Sequence, residues 1–248
     1  MTDTDTDATA PRRGLFLAFE GVEGAGKTTQ VRLLAEGLRR AGKKVTVARE
    51  PGSTPLGERV RETVLADLGL QVPARSELFL MLAARAAFVE QVVLPAVERG
   101  EVVIADRFEL STLAYQGAGR GLPLAEVRAC NRFATGGVAP GATILLDLDP
   151  EEGARRQLAA GKAQDRMERE EAGFHARVAA GYRELAREVE GIVRVDALGG
   201  EDEVHRRVWS ALAARFPETF PGSGFIKREP GAPASGAGPR PGPGTSGG

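Results

Sequence analysis

An apolar run, Leu15-Phe16-Leu17-Ala18-Phe19, leads directly into Gly21-Val22-Glu23-Gly24-Ala25-Gly26-Lys27-Thr28, and that loop leads into a helical pattern of Val31, Leu33, Leu34 and Leu38. Strand, glycine loop and helix in this order form the setting in which G-x-x-x-x-G-K-[ST] makes a phosphate cradle. Glycines let the backbone curl around an anion with its N–H groups pointing inward, and the helix adds the positive end of its dipole. Lys27 would reach the β- and γ-phosphates, and the Thr28 hydroxyl would ligate Mg²⁺. In a chain where arginine predominates, the compact ammonium of a lysine at this position suits a phosphate as a point charge. The candidate nucleotide-binding set is therefore Gly21, Val22, Glu23, Gly24, Ala25, Gly26, Lys27, Thr28 and Thr29.

The rest of the chain fits one domain built around that loop. Its 248 residues, less the tails, can bury a full α/β core. A net charge of −1 gives no broad basic footprint for nucleic acid, and the single Cys130 builds neither a disulfide framework nor a cysteine zinc site. No uninterrupted apolar run reaches membrane-spanning length, and the acidic N-terminus (Asp3, Asp5, Asp7) has no signal-like apolar stretch. The reading is a soluble cytoplasmic protein. Residues 1–13 and a tail over 216–248 are expected to be disordered. Of the 28 residues in 221–248, 15 are Gly or Pro, too few apolar groups to offset chain entropy.

Between the tails, over 14–215, short apolar runs alternate with helical patterns. Strands are predicted at 15–20, 44–49, 101–105, 142–147 and 191–195. Helices are predicted at 27–41, 55–67, 76–98, 123–136, 150–160, 167–188 and 201–215. Continuous apolar strands separated by helices imply a three-layer α/β fold, a parallel sheet of about five strands with helices on both faces. Ligands in such sheets bind at the carboxyl ends of the strands. Polar residues cluster there: Arg49-Glu50-Pro51-Gly52 after the second strand, and Asp106-Arg107 with Ser111, Thr112, Tyr115 and Gln116 after the third. A basic lid spans about 155–168 and contains Lys162, Asp165 and Arg166. His175 and His205 read as surface residues, and Trp209 as core or dimer packing.

The charge pattern indicates what accepts the phosphoryl group. A hydroxyl acceptor needs a base to take its proton. A monophosphate, with a second pKa of about 6, is already nucleophilic, and its difficulty is repulsion between two polyanions. Lys27, Arg49, Arg107 and a basic lid answer the second problem, which points to a nucleoside monophosphate kinase. A deoxynucleoside kinase using Glu50 as base, a P-loop regulatory ATPase and a noncatalytic nucleotide-binding protein remain as alternatives.

Over roughly residues 14–215 the chain resembles the thymidylate kinase family of P-loop kinases. The resemblance is carried by Gly21–Thr28, Arg49-Glu50-Pro51-Gly52, Asp106-Arg107-Phe108 with Ser111-Thr112-Leu113-Ala114-Tyr115-Gln116-Gly117, and Asp165-Arg166-Met167-Glu168. It implies ATP + dTMP → ADP + dTDP with Mg²⁺ in a homodimer, and a P-loop NTPase fold. Ala25 stands where other members carry a catalytic Arg, so the bacterial lid-type variant is implied. Arg166 is then the first candidate for the lid cation, with Lys162 and Arg156 behind it. By the same resemblance Glu23 holds the sugar 3′-hydroxyl, and Arg49 and Arg107 clamp the acceptor phosphate beside Pro51. Arg85 meets the thymine carbonyl, with Ser111, Thr112 and Gln116 lining the base pocket, and Tyr115 crowds the 2′ position. Asp106 and Glu168 support the metal, and Asp196 and Ala197 lie beside adenine. A cis Glu50–Pro51 bond is also implied. Met81 occupies the position where the family places a stacking Phe, and Leu158 and Ala160 replace lid arginines.

Overall fold

The computed structural model describes residues 14–66, 69–161 and 165–221. Five strands, β1 (Leu15–Glu20), β2 (Val45–Arg49), β3 (Val102–Asp106), β4 (Ala142–Asp147) and β5 (Ile192–Asp196), form one parallel sheet in the order β2-β3-β1-β4-β5. Each lies within one residue of its predicted span. Side chains alternate across the pleat. Leu17 and Phe19 of β1 face a cluster made with α1 (Lys27–Arg40) and α9 (Glu201–Arg215), in which Trp209 is buried. Phe16 and Ala18 face the opposite layer, against Phe88, Val93 and Ala96. Helices thus cover both faces.

On that second face lie α2 (Pro55–Leu65) and one long helix, made of α3 (Ala74–Phe88), a π-helical stretch Val89–Val93 and α4 (Leu94–Glu98). The continuous span Ala74–Glu98 has the length and apolarity of a membrane helix, with hydropathy 1.6 over a window that is 44% buried. It is not an uninterrupted apolar run, since Glu77, Arg85 and Glu90 fall within it. In the fold, Glu77 and Arg85 are buried and paired, and Phe88 and Val93 pack under the sheet, as in a core helix.

Three further differences have identifiable causes in packing and capping. The stretch after β3 is helical, α5 (Glu109–Thr112) continuing as a π-helical segment Leu113–Gly119, although its Ser, Thr and Gly content is poor for helix. Packing overrides propensity. The segment lies so close to α8 (Ala172–Glu188) that a Cβ on Gly119 would come within 2.7 Å of Phe174, and one on Gly181 within 2.6 Å of Ala118. Next, α8 starts at Ala172 rather than 167, because Asp165 and Glu168 cap one another. The Glu168 N–H donates to Asp165 Oδ1 at 2.9 Å and the Asp165 N–H to Glu168 Oε2 at 3.1 Å, closing a separate turn. Finally, α6 (Leu124–Thr135) and α7 (Pro150–Ala159) are as expected, but His205 is not a surface residue. It is buried against Trp209 between α9 and α1. Residues 216–221 of the tail expected over 216–248 are instead part of the fold, because Phe220 is buried against Trp209 in the core, while residues 1–13, 222–248 and Lys162 lie outside the described residues.

Burial lowers the His205 pKa to about 4. Between pH 6.5 and 4 the unfolded state therefore binds the proton and the folded state does not, so stability is full above about 6.5 and falls as the medium is acidified. The loss is on the order of 3 kcal/mol at about 1.4 kcal/mol per unit. Urea titrations at pH 7 and 4.5 should show His205→Gln with a clearly smaller difference between the two pH values than the parent. An equal difference in both proteins would contradict this assignment.

Candidate active site

The loop after β1 adopts the backbone that its glycines permit, with Gly24 at φ 73° and Gly26 at φ 89°. It wraps the Lys27 ammonium, whose Nζ donates to the carbonyls of Gly21 at 3.0 Å and Val22 at 2.8 Å. Burial lowers the Lys27 pKa and Arg107 lowers it further, while Glu23, Asp106 and Glu20 oppose both. The Thr28 hydroxyl donates to Asp106 Oδ2 at 2.7 Å. Two hard oxygens thus meet beside the loop at the end of β3, a donor set suited to Mg²⁺, which takes few protein ligands and completes its shell with water and phosphate oxygens. Among the described residues there is no cluster of three or more His, Cys, Asp or Glu side chains for a protein-only metal site.

Register brings the acceptor side to the same edge. Arg49 pairs with Asp106 across β2 and β3, and Phe19 pairs with Asp106 across β1 and β3. Arg49 is half exposed and reaches Glu58 on α2 at 3.0 Å, and the Glu50–Pro51 bond is cis. Arg107 sits at φ 77°, an uncommon conformation for a residue with a side chain, of the kind that clusters at functional sites. Its guanidinium is held by Glu23, Ser111 (3.1 Å), Tyr115 (3.2 Å), Tyr182 (3.2 Å) and the Gly21 carbonyl (3.3 Å). Burial pushes the Glu23 carboxyl up, but Arg107, Lys27 and the Tyr115 hydroxyl outweigh it and hold the pKa at about 2.

These groups line one cleft of about 1020 Å³, which also takes in Gly24, Ala25, Gly26, Thr29, Pro51, Met81, Arg85, Ser111, Thr112, Gln116, Glu168 and Ala197. Arg85 is buried, and four of its five N–H donors are spent on Glu50, Thr112, Asn131 and the Phe108 carbonyl, leaving one on Nη2. Burial raises the partnering Glu50 to about 7 even against Arg85. Glu168 accepts from Gln157 at 2.8 Å, and burial raises its pKa.

The match to the thymidylate kinase family model spans residues 19–208. The chain belongs to this family. It is 48% identical over 204 residues to the thymidylate kinase of Deinococcus radiodurans, covering 82% of this chain and 98% of that one. The thymidylate kinase of Synechococcus sp. (strain JA-2-3B'a(2-13)) is also 48% identical over 204 residues, covering 82% and 96%. The crystal structure of thymidylate kinase from Ehrlichia chaffeensis superposes with a TM-score of 0.64 at 30% identity, covering 81% of this chain and 99% of that one.

Two residues picked out through the family resemblance stand elsewhere. Arg166 does not line the cleft. Its Nε donates to the Val64 carbonyl at 2.6 Å and its Nη2 to Glu77 at 2.5 Å, so an ion pair holds it away from the loop. Of the two lid candidates among the described residues, Arg156 is the one on the cleft wall, donating to Glu152 and to the Ala197 carbonyl. Asp196 also lies off the cleft. It caps the Leu198 N–H and pairs with Arg207 at 3.5 Å, leaving Ala197 as the residue on the wall.

Other residues of this thymidylate kinase site lie outside the motifs of the sequence. Tyr182 of α8 reaches Arg107, Ser111 and Glu20, with its hydroxyl 2.8 Å from Ser111 Oγ. Its signal was a polar-tipped ring on the buried Phe174, Val178, Leu185 stripe. Glu20, wholly buried, accepts from the Phe108 and Ser111 N–H groups and fixes the turn that carries Arg107. Arg61 lines the cleft and donates to the Pro51 carbonyl at 3.1 Å.

The lid helix α7 touches the loop backbone directly. A Cβ on Gly153 would lie 2.2 Å from the Glu23 carbonyl, and one on Gly24 2.1 Å from the Gly153 carbonyl. Gly153→Ala should therefore displace Glu23 and with it Arg107. A shift on the order of 1 Å at a reacting site costs about 10²-fold in rate. Steady-state kinetics should show such a fall in kcat, with a melting temperature below the parent's because the clash is with backbone, and an unchanged kcat would show that the loop tolerates the displacement.

Proposed function

We propose that this protein transfers the γ-phosphoryl group of ATP to dTMP, giving ADP and dTDP in the supply of dTTP. The observation that carries the reading is the placement of cations on both sides of one cleft, Lys27 in the loop and Arg107 and Arg49 at the strand ends, in a chain of the thymidylate kinase family. Two polyanions can approach one another only where fixed positive charge offsets their repulsion. Lys27 and the loop N–H groups hold the donor phosphates, and Arg49 and Arg107 hold the acceptor phosphate. Glu23 orients the sugar, and Tyr115 closes the space at its 2′ position. Arg85, Thr112, Ser111, Gln116 and Met81 surround the base, while Ala197 and Arg156 lie toward the adenine. Thr28 and Asp106 would hold Mg²⁺, with Glu168 nearby, and bound there it supplies charge neutralisation between the transferring oxygens.

Glu50, the carboxylate that a hydroxyl acceptor would require as base, is buried and bonded to Arg85 at 2.8 Å, which favours a phosphate acceptor. A homodimer in the cytoplasm completes the reading. Phe79 on α3 and Phe133 on α6, exposed by 60% and 91%, supply apolar surface that such an assembly would cover. The decisive measurement is ADP release over a panel of nucleosides and nucleoside monophosphates with Mg²⁺-ATP. dTMP should be the preferred acceptor. Turnover with nucleosides alone, or ATP hydrolysis independent of any acceptor, would overturn the assignment.

A further inference from the structure

Glu77 lies in the first turn of α3 with no exposed surface, outside the machinery described above. Both its oxygens are occupied. Oε1 accepts from Gln116 Nε2 at 2.9 Å and from Arg120 Nε at 3.1 Å, and Oε2 accepts from Arg120 Nη2 at 3.0 Å and Arg166 Nη2 at 2.5 Å. One carboxylate therefore joins the π-helical wall of the acceptor pocket to the far end of the lid. Arg166 is fixed further by the Val64 carbonyl at 2.6 Å, and its own backbone N–H donates to the Leu65 carbonyl at 2.9 Å.

The consequence for Gln116 follows from donor and acceptor chemistry. An ionised carboxylate only accepts, so the amide nitrogen must face it, and the amide oxygen is turned the other way. Burial would push the Glu77 carboxyl up, but the hydrogen bonds from Arg120, Arg166 and Gln116 outweigh it and keep it below the ordinary value, so it does not donate. Gln116 is itself almost wholly buried and lines the cleft beside Arg85 and Thr112. Its free oxygen gives that wall an acceptor, and the remaining N–H of Arg85 gives it a donor.

We infer that Glu77 sets the base preference of the acceptor site by holding the Gln116 amide in a single orientation, and ties that setting to the lid through Arg166. The inference rests on the dTMP kinase reading above. A pyrimidine-2,4-dione edge, with a ring N–H beside a carbonyl, matches the acceptor and donor. The cytosine edge, with an unprotonated ring nitrogen beside an amine, mismatches both. Glu77 is thus a positioning residue, acting through Gln116 without touching substrate. In Glu77→Gln the neutral amide can face Gln116 with either end, and the fixed orientation is lost.

The test is kcat/KM for dTMP, dUMP and dCMP, with dCMP also measured as a competitor of dTMP. A site built to bond a ring N–H rejects analogues lacking it strongly, so Glu77→Gln should narrow the dTMP-to-dCMP ratio by about tenfold or more. The change should lie mainly in KM for dTMP. The dTMP-to-dUMP ratio should not move, because the two bases share the same N–H and carbonyl edge. Glu77→Asp should restore part of the discrimination. Gln116→Leu should narrow the dCMP ratio as well, and adding Glu77→Gln to it should narrow it no further. An unchanged dCMP ratio in Glu77→Gln, or additive effects in the double variant, would overturn the inference. If Glu77→Gln does not fold, Gln116→Leu decides: a preserved ratio there overturns it. Parent protein inactive on dTMP would instead overturn the functional reading itself.

Discussion

Lys27→Met should lower kcat by about 10²–10³-fold while the protein still folds and binds dTMP. The substitution keeps the length of the stem and removes only the ammonium, which donates to the Gly21 and Val22 carbonyls across the mouth of the loop. When donor phosphates occupy the cradle, their oxygens compete for those same N–H bonds, and charge-assisted bonds to phosphate are the stronger. The lysine then lies where negative charge shifts from γ-phosphoryl to leaving oxygen, and fixed charge at that point acts on the transition state. Loss of one such donor costs about 10²–10³ in kcat. Single-turnover phosphoryl transfer, with dTMP affinity measured separately, checks this. Retention of more than a tenth of the parent kcat would remove Lys27 from its role. Because burial and Arg107 both press against its charge, the variant should lose little stability, and a thermal melt alongside the kinetics separates folding from chemistry.

Much of this was legible along the chain, and what was not has, apart from the local turn that delays α8, one physical cause. Strand spans were readable because β1, β3 and β4 are covered on both faces and so run as unbroken apolar stretches. Residues at the carboxyl ends of β3 and β2, Asp106 with Arg107 and Arg49, lie in the cleft because topology puts strand ends there. The helix at 109–119 was hidden because its formation depends on Phe174 and Gly181, more than 50 residues on, rather than on its own propensities. Arg166 failed for the same kind of reason. Its motif is local, but its partner Glu77 is 89 positions away, and that ion pair decides which way the guanidinium points. His205 has charged neighbours in sequence, and only the packing of α9 on α1 shows it buried. Spacing reveals which chemistry is available, and long-range partners decide where each side chain spends it.

Arg107 shows that dependence most strongly, and Arg107→Lys isolates it. The substitution keeps a positive charge beside Glu23, whose ionised state at this depth depends on that charge. Removing the charge altogether would leave a partly buried carboxylate with only Lys27 and the Tyr115 hydroxyl to compensate it, at a cost in stability. Lysine avoids most of that penalty. It does not supply the planar fork by which one guanidinium serves Glu23, Ser111, Tyr115, Tyr182 and the Gly21 carbonyl at once through Nη1 and Nη2 and still has its Nε–H for a phosphate. A flexible ammonium can satisfy Glu23 or the acceptor phosphate, and the nearer carboxylate will take it. Arg107→Lys should therefore retain near-parent stability while kcat/KM for dTMP falls by about 10²-fold or more, with ATP affinity little changed. Arg107→Ala should add a loss of stability to the same kinetic defect. A lysine variant with parent-like kcat/KM would mean that charge alone suffices at this position, and the assignment of the acceptor phosphate to the Arg107 fork would have to be given up.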